Sequence, residues 1–281
     1  MPAREYAAEV VRLAPLMKKV DPSIKLLACG SGGLSRRSAN GMPYNRTVLE
    51  RCATVLDYIS IHHYENPDRF VEGPRDFEAF FRELGRIIES SSNPNLKIYV
   101  SEWNAQSTDW RTGLYCGGLL NAFERCSDIL TLAGPALFLR HVSASAWDNA
   151  FINFDGESWF AAPNYLVMKL YRDHFASQLL SVTGQAGGLN VSAGKSEDGE
   201  RIILKVVNPT GETIETSFEL EGSFKAKQAI LMLIAPGSLR AGNSLGQRDV
   251  VKAEERSVWV ESGGLCISVP RWSVGVVEIR E

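Results

Sequence analysis

The feature that most constrains the fold is a change of rhythm near Phe175. Up to that point, amphipathic helical patterns alternate with short apolar runs, the signature of βα units on a parallel sheet. A helix over Arg4 to Val20 carries Val10, Leu13 and Met17 on one stripe and closes before "DPS", where Pro22 pushes the preceding residue out of the helical region. The strands are "IKLLACG", "DYISIHHY", "LKIYVS" and "ILTLAGPALFL". Between them lie "DFEAFFRELGRIIESS", with Phe77, Phe80, Phe81, Leu84 and Ile88 on its core face, and the helix around "GLYCGGLLNAFERC". An irregular aromatic-rich stretch to Phe160 and a last helix, "APNYLVMKLYRDHF", complete four βα units. Beyond Ser177 the pattern becomes short β segments separated by turn residues: "LNVSAG", "RIILKVVNPTG", "ETSFELEG", "KQAILMLI", "VWVES" and "LCISVPRWSVGVVEIR". Strands at that spacing predict a β-sandwich of about 100 residues. The expected division is an α/β domain over 1–176 and an all-β accessory domain over 177–281, packed together because no Gly/Ser linker separates them.

Composition excludes several partners. Acidic and basic residues are well mixed and sum to a net charge of -3, so no basic stripe is available for a phosphate backbone and nucleic acid is not an expected partner. No apolar run approaches the roughly 18 residues of a membrane span, and Met1 leads into Pro2, Ala3, Arg4 and Glu5 without a signal-type core, which predicts a cytoplasmic chain and no membrane partner. The five cysteines, Cys29, Cys52, Cys116, Cys126 and Cys266, are scattered, odd in number and without the close pairs that structural zinc uses, and read as reduced, mostly buried thiols.

In a barrel of parallel strands the carboxyl ends face the βα loops, and that rim is where substrates bind. Three strands deliver chemistry there: "ISIHHY" ends in His62, His63 and Tyr64, "IYVSEW" ends in Glu102 and Trp103, and the loop after the fourth run offers His141, Trp147, Asp148 and Asn149. Carboxylate, phenol, imidazole, amide and indole on one rim suit a sugar site. A carboxylate at a dry strand end suits attack on an anomeric carbon. Each residue also has a plainer reading. A strand-end Glu more often supports a loop; His62 and His63 read as a core histidine and a surface one, Tyr64 and Trp103 as rim packing, and Asp148 and Asn149 as turn formers after Trp147. The glycine- and serine-rich loop from Gly30 to Gly41 lacks the ordered phosphate-loop pattern and reads as a flexible connection.

These segments, in this order, resemble the C-terminal half of glycoside hydrolase family 51, the α-L-arabinofuranosidases. "EYAAEVVRLAPLMKKVDPSIKLLACGS" resembles the helix and strand after the family's acid/base motif, "LDYISIHHYEN" its next strand, and "KIYVSEWN" its nucleophile motif; the likeness continues through "WDNAFINFDGESWFAAPNYLVMKLY" and "VPRWSVGVVEIR". The resemblance implies four βα units of a partial (β/α)8 TIM barrel followed by a C-terminal β-sandwich. It implies a retaining glycosidase that needs no cofactor and removes terminal arabinofuranosyl residues from arabinose-containing oligosaccharides or polysaccharides. Glu102 takes the nucleophile's place, Tyr64 would hydrogen-bond it, His62 would support the rim, Trp103 and Asn104 follow as the family has them, and Asn149 would contact a furanose hydroxyl. Gln106 stands where the family often has a tryptophan, and the family's Gly-Asn-Glu acid/base motif does not occur in this sequence. The resemblance therefore implies a C-terminal fragment of a longer enzyme, a truncated gene product, or one half of a split enzyme, with a complementary N-terminal half or a homo-oligomer as the expected partner. A sugar- or protein-binding remnant without catalysis, and a related barrel glycosidase acting on xylosides, remain the alternatives.

Overall fold

Alternation of buried and open residues builds a four-stranded sheet first. In the computed structural model, which describes residues 1–32, 41–184, 186–222, 224–261 and 264–281, the strands β1 (Leu27–Cys29), β2 (Tyr58–Glu65), β3 (Lys97–Ala105) and β4 (Leu130–Pro135) lie side by side in sequence order. β1 pairs with β2 and β3 with β4 in parallel, as successive βα units require. The loop from Gly30 to Gly41 mostly falls outside the described residues. At its start the backbone must run against β2: Gly30 N–H donates to the Ser60 carbonyl at 2.8 Å, and a Cβ on Gly32 would sit 2.0 Å from the His62 carbonyl oxygen, so only glycine fits.

Three helices accompany this sheet: α1 (Ala3–Val20), α2 (Gly41–Cys52) and α3 (Glu72–Glu89). The α3 expectation holds, since Phe77, Phe80, Phe81, Leu84 and Ile88 are all buried, with the Phe77 and Phe81 rings 4.3 Å apart. The α1 expectation is corrected. Its buried positions are the small residues Ala7 and Ala14, Tyr6 stacks on Tyr44 of α2 at 6.4 Å, and Val10 is only half-buried. Leu13, Leu16, Met17 and Val20, spaced i, i+3, i+4, i+7, form an open stripe with exposures of 40%, 54%, 49% and 88%.

The chain divides into two compact units. The first comprises Met1–Tyr64, Asp76–Trp103 and Cys126–Ala136; the second comprises Glu65–Arg75, Asn104–Arg125 and Leu137–Glu281. In the second unit lie α4 (Trp110–Arg125) and α5 (Pro163–Asp173), the latter opened by a proline at its first turn. The run "ILTLAGPALFL", expected as one strand, breaks after Pro135, and Leu139–His141 forms β5 in a different sheet. The stretch expected to be irregular contributes β6 (Ile152–Phe154) and β7 (Trp159–Ala161), which complete that sheet in the order β5-β6-β7.

The remaining strands are β8 (Gln178–Leu180), β9 (Asn190–Lys195), β10 (Arg201–Asn208), β11 (Ile214–Glu219), β12 (Gln228–Ile234), β13 (Glu254–Val258), β14 (Val260–Glu261), β15 (Gly264–Val269) and β16 (Ser273–Arg280). They form a six-stranded sheet, β13-β12-β16-β10-β9-β8, and a three-stranded one, β11-β15-β14, with β16 holding the middle of the larger. One core cluster joins them, including Ile202, Leu204 and Val206 of β10, Leu231 and Leu233 of β12, Leu265 and Ile267 of β15, and Val277 and Ile279 of β16. The buried Lys205 of β10 points away from that cluster, pairs with Glu124 of α4 and lies over the Tyr171 ring of α5 at 4.8 Å. Gly117 of α4 lets helix and sheet touch, since a Cβ there would come within 2.9 Å of Val207 and 3.1 Å of Val274. Three of the five cysteines, Cys52, Cys116 and Cys126, are buried, and none of the five forms a disulfide. Among the described residues no helix is long and apolar enough to cross a membrane.

Candidate active site

Strand geometry places the first polar row. On β2, residues two apart face the same way, so Ser60, His62 and Tyr64 share a face. On β3 the alternation runs regularly through Lys97, Ile98, Tyr99 and Val100 and then breaks. Val100 pairs with Ala133 and Trp103 with Pro135, so three steps on β3 oppose two on β4. The extra residue is a bulge at Ser101 and Glu102, and both are half-open where strict alternation would have buried one of them. The bulge thus turns Glu102 onto the side carrying Tyr99 and Ser101.

Three contacts follow. The Ser60 and Ser101 hydroxyls meet at 2.5 Å, linking the two strands one residue before the carboxylate. Tyr64 Oη donates to Glu102 Oε2 at 2.5 Å. His62 Nδ1 lies 3.7 Å from the same oxygen, close enough to pair when the imidazole is protonated. The Glu102 and His62 side chains are 42% and 52% exposed, so the carboxylate is reachable. Burial first, and then the Glu102 carboxylate, push the Tyr64 phenol above its ordinary value and keep it a donor. A phenol donating to one oxygen fixes the plane of the carboxylate, and a held orientation is what an attacking group needs. His63 points elsewhere, its ring 4.9 Å from Phe77.

Other sequence-based candidates sit differently. Trp103, expected at the sugar, is 1% exposed, because beyond the bulge β3 turns it into the core. Asn104, also expected to bind substrate, is fully buried; its Nδ2 donates to the Asn149 carbonyl at 2.8 Å and its Oδ1 accepts from Ala105 N–H at 2.8 Å and Asn164 Nδ2 at 3.0 Å. Asn149 is buried and donates from Nδ2 to the Ala105 carbonyl at 3.0 Å. These amides tie the end of β3, the segment before β6 and the first turn of α5 into one network within the second unit. Reading the sequence misses Asn164, whose place directly after the Pro163 helix start is the available signal, and misses the Ser60–Ser101 pair, which only the register reveals.

Two other carboxylates bear comparison with Glu102. Glu65 is buried, accepts from Asn66 N–H at 2.9 Å and lies 3.3 Å from Arg69 Nε. It is a structural anchor, and Gly73 packs so closely that a Cβ there would lie 2.8 Å from its Oε2. Asp148 is open to solvent beside Trp147.

The family model for the alpha-L-arabinofuranosidase C-terminal domain matches residues 91–273, from before β3 to the start of β16. The chain belongs to the α-L-arabinofuranosidase family. Among curated proteins it is 23% identical to the intracellular exo-alpha-(1->5)-L-arabinofuranosidase 1 of Bacillus subtilis, over 99% of this chain and 63% of that protein. Among solved structures it superposes on the alpha-L-arabinofuranosidase of Thermotoga maritima, crystallised as an arabinose complex, with a TM-score of 0.86 at 20% identity. It superposes on the GH51 enzyme of Thermotoga petrophila with 0.86 at 21%. Both superpositions cover 100% of this chain and 63% of the other. This member of the arabinofuranosidase family therefore carries the C-terminal part of the GH51 architecture, a partial (β/α)8 barrel followed by a β-sandwich, and spans less than two thirds of the length of those relatives.

Proposed function

We propose that the chain supplies the nucleophile half of a retaining α-L-arabinofuranosidase, with Glu102 as nucleophile. The observation that carries this reading is the Tyr64 Oη to Glu102 Oε2 hydrogen bond of 2.5 Å beside a strand bulge. Glu102 attacks the anomeric carbon of a terminal arabinofuranosyl unit, forming a C1–O ester bond as the bond to the leaving oxygen breaks; that oxygen takes its proton from a general acid. Water then attacks C1, its proton passes to the same acid/base group, and Glu102 leaves as carboxylate. The general acid must stand about 5–5.5 Å from the nucleophile. Glu65 is committed to Arg69 and Asn66, so we assign the acid to a complementary segment bearing Gly-Asn-Glu, supplied by a longer chain, a separate polypeptide or a neighbouring copy. His62 supports the rim beside the carboxylate, its Nδ1 3.7 Å away; Trp103, Asn104 and Asn149 act from behind the surface by holding the end of β3 and the segment before β6. The sandwich over 177–281 is an accessory domain to the 1–176 half barrel, the substrate is an arabinose-containing oligosaccharide or polysaccharide, no cofactor enters, and the enzyme works in the cytoplasm.

A 2-deoxy-2-fluoro-α-L-arabinofuranoside with a dinitrophenyl leaving group tests the assignment, because that group departs without protonation. Mass spectrometry of the digested protein is expected to find the fluoropentosyl adduct on the peptide containing Glu102. An adduct on a different carboxylate, or none even after the complementary segment is added, overturns it.

A further inference from the structure

The sheet β5-β6-β7 carries a face that the catalytic reading does not use. Its register sets His141, Phe154 and Trp159 opposite one another, and Leu139, Ile152 and Ala161 opposite one another two residues away. Alternation sends both rows to one face. Arg140, Asn153 and Phe160 take the other, where buried Asn153 donates to the Ala150 carbonyl at 3.2 Å. On the first face the Trp159 side is open: that indole is 55% exposed, on a strand only three residues long. His141 meets Phe154 edge-on, centroids 5.5 Å apart at 85°, and its Nδ1 lies 2.7 Å from Ser143 Oγ. Asp155, between β6 and β7, accepts from the Glu157 and Ser158 N–H groups, which hold its carboxyl below the ordinary range and ionised.

An open indole beside a phenyl ring, with an imidazole and a hydroxyl at the edge of the same row, is a combination that takes a saccharide: the ring packs against the C–H face of the sugar while the polar groups bond to its hydroxyls. A protein interface needs a larger contiguous apolar patch than a sheet of three strands, each three residues long, presents. The strand β6 also begins three residues after Asn149, whose amide is locked to the end of β3. Trp147, in the loop joining β5 to β6, holds a left-handed φ of 59°, a conformation that bulky residues rarely adopt and that recurs at ligand clamps.

We propose that Trp159, with Phe154 and His141 beside it, is a stacking platform for arabinosyl units of an arabinan chain, a binding site additional to the single sugar held at Glu102. The identity of the sugar rests on the arabinofuranosidase reading. Native gel electrophoresis of the whole chain through gels containing linear 1,5-arabinan reads binding without turnover. The chain is expected to be retarded, with Trp159→Ala weakening apparent affinity about tenfold, the scale of one lost aromatic contact, and Trp159→Phe staying within about threefold. If Trp159→Ala does not fold, the indole N–H signals of the unaltered chain decide: of its six tryptophans, the signal that Trp159→Phe removes is the one expected to shift on adding arabinopentaose. An unretarded chain, a Trp159→Ala variant retarded like its parent, or a shift confined to other indoles overturns the platform. Labelling of Glu102 by the fluoroarabinoside, run in parallel, separates the two readings: retardation without labelling upholds the platform and sinks the nucleophile assignment, and labelling without retardation does the reverse.

Discussion

On the proposed reading, the 2.5 Å bond from Tyr64 to Glu102 concentrates the chemistry in two residues, and each has a distinct expected phenotype. With the complementary segment present, Glu102→Gln is expected to abolish turnover, since an amide cannot form the ester. Tyr64→Phe removes one hydrogen bond to a charged group, worth about 1.5–3 kcal/mol, so kcat/KM should fall about 10- to 100-fold while the fluoropentosyl adduct still forms on Glu102. Steady-state kinetics on nitrophenyl arabinofuranoside check both, and a Tyr64→Phe enzyme as inactive as Glu102→Gln would contradict the ranking. Two other carboxylates set the response to acid. Burial raises Asp109, but Arg111, Ser107 and Arg240 outweigh it; burial raises Glu278, but Arg280, His174 and Arg201 outweigh it; both end below the ordinary carboxylate range. A folded value below the unfolded one means stability that is present above about pH 4 and lost as pH falls through the folded value. Denaturant midpoints should therefore drop from about pH 5 towards about pH 3, and Asp109→Asn should flatten that drop while lowering the midpoint at about pH 7. At this scale the sequence makes Glu102, Tyr64 and His62 legible because strand ends deliver side chains to one rim. It does not foretell that Trp103 and Asn104 are buried, because a bulge of one residue leaves no mark in composition or periodicity.

Elements are readable wherever one face is apolar. The α3 pattern names its core, and Phe81→Ala is expected to cost about 3–5 kcal/mol by cavity formation, measurable by denaturant unfolding. A loss under about 1 kcal/mol would mean that the Phe77–Phe81 contact is not the core of that unit. The α1 helix shows where such reading stops: its apolar residues outnumber its buried ones, which are the alanines Ala7 and Ala14. Periodicity reports which residues prefer to leave water, and not which have been given a neighbour. The open stripe Leu13, Leu16, Met17 and Val20 should therefore make the chain self-associate. Leu16→Lys together with Val20→Lys is expected to lower the weight-average mass in light scattering without moving the melting temperature by more than a few degrees. The missed elements β6, β7 and β8 are three residues each, too short for any alternation to register.

At the scale of the molecule, the chain spans 63% of the Bacillus subtilis relative. Alone, it is expected to leave natural arabino-oligosaccharides uncleaved, since an alkoxide cannot depart unprotonated, and product analysis by chromatography checks this; brisk hydrolysis would demand a second carboxylate within the chain. The order β13-β12-β16-β10-β9-β8 carries a further consequence for biosynthesis. The middle strand of the larger sheet is the one translated last among its members. Until residues 273–280 clear the ribosome, β12 with β13 and β10 with β9 and β8 have no strand between them, and the apolar faces that form their shared core wait in water. A polypeptide stopped just before Ser273 would lose not an edge but the joint of the sheet, leaving two exposed ribbons for chaperones and proteases to find. The position of β16 thus makes closure of the larger sheet wait for the last of its own strands to be read.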